Sequence, residues 1–541
     1  MSSGSRRSLF LVLLVIIICG FLGAAYSQRS GSSYGQASET DVRDSLRQFS
    51  QVYSIVEDNY AEPLNPDKAI YNGAIPGMLH VLDPHSNFFD PKSYSALREE
   101  QSGKYYGVGM QIAPRNNKII VIAPFVGTPA YKVGLRPGDV IMAVDGKATD
   151  NMSVSDVADL LKGPKGTNVH ISALREGNDK PLEFNVVRDE IPRNSVDLRF
   201  IIKPGIGYMH ISAFNENTEQ EVEDGLQQFG DLKGLVLDLR GNPGGLLNEG
   251  VGVADKFLRR GQVIVSHRGR SSPEKVYRAA HGNGGKDYPL VVLVNRGTAS
   301  AAEIVSGAIQ DHDRGLIVGE VTFGKGLVQT VYPLSENTGL ALTTAKYYTP
   351  SGRLIQRDYT GVSLYDYYYG REDDENPVPN PPPSNSNNKE MKFTDSGRPM
   401  YGGGGISPDV KVANFKPTRF EDTLLIKYAL FNFARAYLNN HTVDRNFEVT
   451  DSVMQDFRKF LDAQQVPYTE ADINEGQDWI KANLKAEIFI GQFGQEEGLR
   501  VRAETDPQVL AALNQLPKAK ELADNARKII AQRAAAQQSN R

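Results

Sequence analysis

The stretch PLVVLVNRGTASAAEIVSGAIQD, Pro289 to Asp311, decides the fold. Leu290–Val294 is an unbroken apolar run, and a strand wetted on one face would alternate instead. Asn295-Arg296-Gly297 signals a turn, and Ala301–Asp311 reads as the helix that follows. The same pattern recurs on both sides. Strands at Gly205–Ile211, Gly234–Leu239 and Leu316–Val318 alternate with helical stretches at Glu219–Phe229 and Asn248–Leu258. Continuous apolar strands separated by helices predict a layered α/β domain over residues 195–415.

Outward from this core the chain is multi-domain, as 541 residues would suggest. Short strands at Lys118–Ala123, Val140–Val144 and Asn168–Leu174 are set apart by Gly134, Gly138, Asp145-Gly146 and Gly163-Pro164. A helix from Ser153 to Leu161, with Ser153 as N-cap, completes a domain at 103–190. Residues 41–100 read as mainly helical, with Leu46, Phe49, Tyr53, Val56 and Tyr60 on one stripe and a second helix at Lys68–Val81. Residues 1–28 hold Arg6-Arg7 and the uncharged run Leu9–Tyr26, a secretory signal or an uncleaved membrane anchor, and 29–40 is a Ser/Gly linker. Basic residues before the run place the remainder outside the cytoplasm, periplasmic or anchored to the inner membrane. Residues 365–389 are expected to be an exposed, mobile insertion. Residues 416–541 read as a helical region, including Phe420–Leu438 and Val453–Leu461, that either packs as a cap or docks an adaptor or a second copy.

Composition narrows the chemistry. Sixty basic against 65 acidic residues give a net charge of −5, which argues against nucleic-acid binding through global positive charge. The one cysteine, Cys19, lies in the apolar N-terminal run, which excludes an intramolecular disulfide and argues against thiol catalysis. No histidine pair has a metal-binding spacing, and neither a metal nor an organic cofactor is implied. Hydroxyl chemistry remains.

Ser300, at the strand-to-helix turn, would expose its hydroxyl at the carboxyl end of the sheet, beside a helix N-terminus. Ser300-x-x-Glu303 is equally a capping box. His312 is an unsuitable base, because 12 helical residues carry it about 18 Å away. It belongs at the helix C-terminus. Gly319–Lys325 imitates a phosphate-binding loop, but Gly326 stands where the magnesium-ligating hydroxyl is needed and a strand follows. Lys325 can instead serve as a base if burial holds it neutral, a shift costing about 3.3–4.6 kcal/mol, or be a surface lysine in a glycine-rich turn. Gln329 could orient it, provided that a helical turn joins them, since an extended chain leaves them about 13 Å apart. The Asp238–Gly245 stretch, DLRGNPGG, could present bare N–H groups to an oxyanion, or be no more than a tight turn.

These segments together resemble the carboxy-terminal processing (tail-specific) proteases. The resemblance runs through LDPHS at 82–86, GVGM at 107–110, GLRPGDVIMAVDG at 134–146, DLRGNPGG, TASAAE at 298–303, GEVTFGKGLVQ at 319–329 and YGGGGISPDV at 401–410. It implies a Clp-protease/crotonase-like α/β core with an inserted PDZ domain. It also implies a serine endopeptidase in which Ser300 is nucleophile, Lys325 base and Gln329 its orienter. Ala301 and Gly245 N–H groups would form the oxyanion hole. Gly107, Val108, Gly109 and Met110 would receive a terminal carboxylate, so that the substrates are proteins or peptides with apolar or unstructured C-terminal tails. Thr298 replaces the family's usual first serine of S-x-S. The competing reading is a PDZ scaffold on a degenerate hydrolase fold.

Overall fold

A computed structural model describes residues 39–115, 117–370 and 390–539. The chain divides into two compact units, Met1–Met78 and Leu79–Arg541. The proposed signal or anchor, with Cys19, lies outside the described residues.

In the first unit Glu39–Asn59 is one helix whose predicted stripe is open, with Leu46, Phe49, Val56 and Tyr60 all exposed. The second helix expected over Lys68–Val81 is broken. Pro66–Ala69 gives way to a wider π turn at Ile70–Ala74, then to Ile75–His80. Pro76 has no N–H and crowds the preceding turn, which accounts for the irregularity.

The core of the second unit is a six-stranded sheet: β1 (Val196–Lys203), β2 (Ile206–Ile211), β3 (Gly234–Asp238), β4 (Leu290–Val294), β5 (Leu316–Gly319) and β6 (Val410–Lys411), in that spatial order. β1 and β2 are antiparallel, and every neighbouring pair from β2 to β6 is parallel. Helices α1 (Thr218–Phe229), α2 (Leu247–Asp255) and α3 (Ala301–Asp311) follow β2, β3 and β4. Side chains alternate across the sheet. Leu235, Leu237, Leu290, Val292 and Val294 pack with residues of α1–α3. Val236, Val291, Leu293 and Val318 pack instead with Val509, Ala512, Leu513 and Leu516 of α4 (Pro507–Ser539). The last helix is therefore the sheet's second outer layer, which is why the strands are apolar throughout.

A separate five-stranded antiparallel sheet centres on Gly339–Tyr348, which pairs with Asn87–Phe89, Val263–Gly269 and Leu327–Pro333. The domain at 103–190 has its strands at Met110–Arg115, Lys118–Pro124, Val140–Val144, Lys147–Ala148, Asn168–Leu174 and Leu182–Val187 around helix Val154–Leu161. Ser153 caps that helix in a capping box with Asp156.

Two expectations shift. Helix Phe420–Leu438 is two helices, Arg419–Ile426 and Ala429–Asn440, split at Tyr428 with φ of 51°. The segment expected to be mobile from 365 begins with a packed helix, Leu364–Tyr369, in which Tyr367 is 2% exposed; residues 371–389 lie outside the described residues.

Candidate active site

Adjacent parallel strands deliver their carboxyl ends to one place. The turn after β3 (239–246), the turn after β4 (295–300) and the loop after β5 (320–326) meet there, as expected for a sheet of this type. Ala299 N–H donates to the Asn242 carbonyl and Phe323 N–H to the Thr298 carbonyl, both at 2.9 Å. Thr298, in place of serine, donates its hydroxyl to the Leu239 carbonyl at 2.8 Å. Its role is to fasten two turns together.

Ser300 adopts φ 53° and ψ −115°, a conformation that side-chain-bearing residues avoid at a cost of about 1–3 kcal/mol. Glu303, one turn into α3, holds it there. Its carboxylate is fully buried and accepts four hydrogen bonds: Ser300 N–H at 2.9 Å and Lys325 N–H at 2.8 Å on Oε2, Gly324 N–H at 2.7 Å and the Thr322 hydroxyl on Oε1. Burial pushes this carboxyl up from its ordinary value while the four donors pull it down. All four partners are donors, so the geometry suits the anion. On the other side the Tyr347 hydroxyl lies between the carbonyls of Ser300, at 3.1 Å, and Lys325. The backbones of Ser300 and Lys325 are thus clamped at both their N–H and C=O groups. Lys325 is half-buried. Desolvation lowers its pKa, opposed by the nearby charges of Glu303 and Asp83.

The Asn242–Gly245 turn lies against the serine. A Cβ on Gly244 (φ 92°) would sit 2.6 Å from Ser300 Cβ and 2.9 Å from Ala301 N, so only glycine fits. Phe214 forms a parallel bridge with Gly245, donating to the Gly244 carbonyl and accepting from Leu246 N–H, both at 2.9 Å. Gly245 N–H accordingly points to the opposite side. Neither it nor Ala301 N–H has a backbone acceptor among the described residues. Behind the turn, buried Asp238 holds the Arg240 guanidinium, which also donates to Asp506 (2.9 Å) and Gln508 (2.7 Å) where α4 begins.

Gln329 is not joined to Lys325 by a helical turn. Leu327–Pro333 is a strand, with a bulge against Gly339–Tyr348 between Val328 and Gln329. Its Nε2 is buried without a hydrogen-bond partner among the described residues. His312 closes the C-terminus of α3, with Nδ1 2.7 Å from Asp395 and Nε2 2.7 Å from the Val263 carbonyl. Gly107 ends the strand Lys104–Gly107, Val108 and Gly109 form the loop, and Met110 opens the edge strand Met110–Arg115, near helix Val154–Leu161.

Three contributors escaped sequence reading. Glu303 was visible only as half of a capping box. Tyr347 carried no signal inside a strand, and the LDPHS stretch entered only through the resemblance, although the charge of Lys325 acts on His85 and that of Asp83 acts on Lys325.

Comparison with known proteins shows the family. Residues 205–363 match the model of peptidase family S41, 121–175 that of the PDZ domain, and 420–471 that of "Probable PDZ-protease, C-terminal helical domain". A carboxy-terminal-processing protease from Bartonella bacilliformis is 38% identical over 358 residues, covering 65% of this chain and 80% of that protein. The chain belongs to the carboxy-terminal processing proteases. It is a serine-type peptidase with an inserted PDZ domain on a mixed α/β fold. Within the family, the carboxy-terminal processing protease CtpA of Bacillus subtilis is 32% identical over 65% of this chain and 75% of its own. Residues 21–93 match the N-terminal domain of the activating protease CtpB. A solved photosystem II D1 C-terminal processing protease is 33% identical over 68% of this chain and 86% of its own, with a TM-score of 0.34.

Proposed function

We propose that this is an exported protease that cleaves proteins near their C-termini with a Ser300–Lys325 dyad. The observation that carries this reading is the clamp at Glu303 and Tyr347, which ties a strained serine to a half-buried lysine. Ser300 Oγ attacks the scissile carbonyl carbon while Lys325 Nζ takes its proton. The C–N bond then breaks, Lys325 returns the proton to the leaving amine, and an acyl-serine ester remains. Water hydrolyses that ester by the same route, restoring Ser300. Ala301 and Gly245 N–H groups hold the oxyanion. Gln329 orients Lys325: its buried Nε2 has no hydrogen-bond partner among the described residues, and turning the amide end for end, at no cost in shape, puts the accepting oxygen in that place.

The substrate tail joins the edge of the PDZ sheet at Met110–Arg115, and its carboxylate meets the N–H groups of the 107–110 loop. The expected substrates are proteins or peptides with apolar or unstructured C-terminal tails. Export rests on Arg6, Arg7 and the apolar run 9–26. Among the described residues no helix is long and apolar enough to cross a membrane.

The test is cleavage of an unfolded, apolar-tailed protein by wild type, Ser300→Ala, Lys325→Ala and Lys325→Arg. All three variants should be inactive, the last because arginine does not give up its proton. Undiminished cleavage by Ser300→Ala would refute the nucleophile, and by either lysine variant the base.

A further inference from the structure

Beside the Lys325 turn lies a hydrogen-bonded chain that the reaction scheme does not use. Gly326 N–H donates to Gln356 Oε1 at 2.8 Å, which fixes the direction of that amide. Gln356 Nε2 then donates to the Arg357 carbonyl (2.8 Å) and to the Tyr367 hydroxyl oxygen (3.1 Å). Tyr367 Oη lies 2.9 Å from His85 Nε2, His85 Nδ1 lies 3.2 Å from Tyr368 Oη, and the Tyr368 hydroxyl donates to the Pro84 carbonyl at 2.7 Å.

Only one proton assignment satisfies every link. Tyr367 accepts from Gln356, so its own proton goes to His85 Nε2. Tyr368 gives its proton to Pro84, so it accepts from His85 Nδ1–H. His85 must therefore be neutral and protonated on Nδ1. A proton on Nε2 would leave the Tyr367 hydroxyl with nothing to donate to.

The surroundings favour that state. Burial, then the Lys325 charge, lower His85 to about 4; Arg357 adds to this and Asp83 opposes it. The phenols of Tyr367 and Tyr368 complete the polar groups facing the ring. Aromatic packing closes the site: Phe323, two residues before Lys325, has its ring centroid 5.5 Å from Tyr367, 6.0 Å from Tyr368 and 6.4 Å from His85. The Arg357 guanidinium lies over the Phe323 and Tyr367 rings, and the backbone N–H of Arg357 donates to the Gly324 carbonyl at 2.9 Å.

We propose that His85 is a positioning residue for Lys325, which with Tyr367 and Gln356 pins the turn carrying the base and keeps its amine dry; this rests on the Ser300–Lys325 reading. The connection runs from the LDPHS loop through helix Leu364–Tyr369 to the peptide N–H next after Lys325. A neutral imidazole accepts one hydroxyl and donates to another, so it joins two tyrosines that an apolar side chain of the same size could not join. Loss of the link admits water, and a better-hydrated Lys325 amine holds its proton to higher pH.

The experiment is the pH profile of kcat/KM on an unfolded, apolar-tailed protein for wild type, Tyr367→Phe, His85→Leu and His85→Gln. In Tyr367→Phe and His85→Leu the acid limb should move up by about one pH unit, a loss of about tenfold below the limb that recovers at alkaline pH. Glutamine can still accept from Tyr367, so His85→Gln should stay within about threefold of wild type. An acid limb that does not move, with activity unchanged or reduced equally at every pH, would overturn the proposal. Should His85→Leu fail to fold by thermal melting, Tyr367→Phe, which loses one oxygen, decides the matter by the same criterion. Ser300→Ala in the same assay separates the two readings: if it still cleaves, the dyad itself is wrong. If it is inactive and the limbs coincide, only the role of His85 is refuted.

Discussion

Replacing Glu303 by glutamine tests the joint that brings the two halves of the proposed dyad together. The carboxylate serves two donors on each oxygen. An amide offers one oxygen and one NH₂, so one side must face donor against donor. With the NH₂ toward Ser300 and Lys325, both backbone N–H groups are orphaned. With it toward Thr322 and Gly324, the Thr322 oxygen can accept, although it already takes Ile406 N–H at 2.7 Å, and Gly324 N–H alone is stranded. The second orientation is the cheaper and leaves one buried donor unpaired, costing about 1–3 kcal/mol. Bonds that were charge-assisted also become neutral. Urea denaturation should therefore show Glu303→Gln less stable by at least about 1 kcal/mol. Activity should fall further than stability, because displacing either turn by about 1 Å costs on the order of 100-fold. The assay is kcat/KM on the unfolded substrate at a temperature where the variant is fully folded. A variant as stable and as active as wild type would refute the idea that this carboxylate aligns the dyad.

Ser300→Ala should abolish cleavage while costing no more than about 1 kcal/mol of stability; a larger loss would mean that its main duty is structural. Lys325→Met should be inactive yet more stable than wild type at neutral pH. Burial lowers the lysine pKa in the fold, so between that value and about 10.4 the unfolded chain holds a proton the folded one lacks, and wild-type stability rises with pH. The advantage of methionine should shrink toward pH ~10, and a pH-independent difference in denaturation midpoint would contradict this. Gly244→Ala places a methyl 2.6 Å from Ser300 Cβ and 2.9 Å from Ala301 N; loss of the proposed oxyanion donor at Ala301 predicts a fall in kcat of about 100–1,000-fold, and near-normal turnover would remove this turn from the site. Leu516→Ala on α4 should destabilise the protein by about 2–5 kcal/mol in urea. A cost under about 0.5 kcal/mol would show that α4 does not cover the sheet.

Much of the site was legible because each piece sits on a local signal. Apolar strands ending in glycine-rich or serine-bearing turns announced where hydroxyl chemistry could lie, and the absence of thiols and paired histidines outside the N-terminal run removed the alternatives. Gln329 shows where local reasoning stops. Counting residues demanded a helical turn, whereas the chain makes a bulged strand, because pairing with Gly339–Tyr348 determines its conformation. Glu303 shows the same limit from the other side. S-x-x-E spacing specifies a helix start, but not that the carboxylate will also receive N–H groups from a loop 21 and 22 residues further on.

The sequence by itself determined the order of the domains, the layered α/β core, and the residue types able to act as nucleophile and base. These follow from short-range periodicity and from side-chain chemistry, which each residue carries with it. Tertiary structure alone decided that α4 is the outer layer of the sheet and that Glu303 and Tyr347 clamp Ser300 to Lys325. It also decided that His85, some 240 residues before Lys325, belongs to the same neighbourhood. Those facts depend on which carboxyl ends of parallel strands become neighbours and on what closes over them. Such pairings are set by burial summed over the whole chain, and no local pattern encodes them.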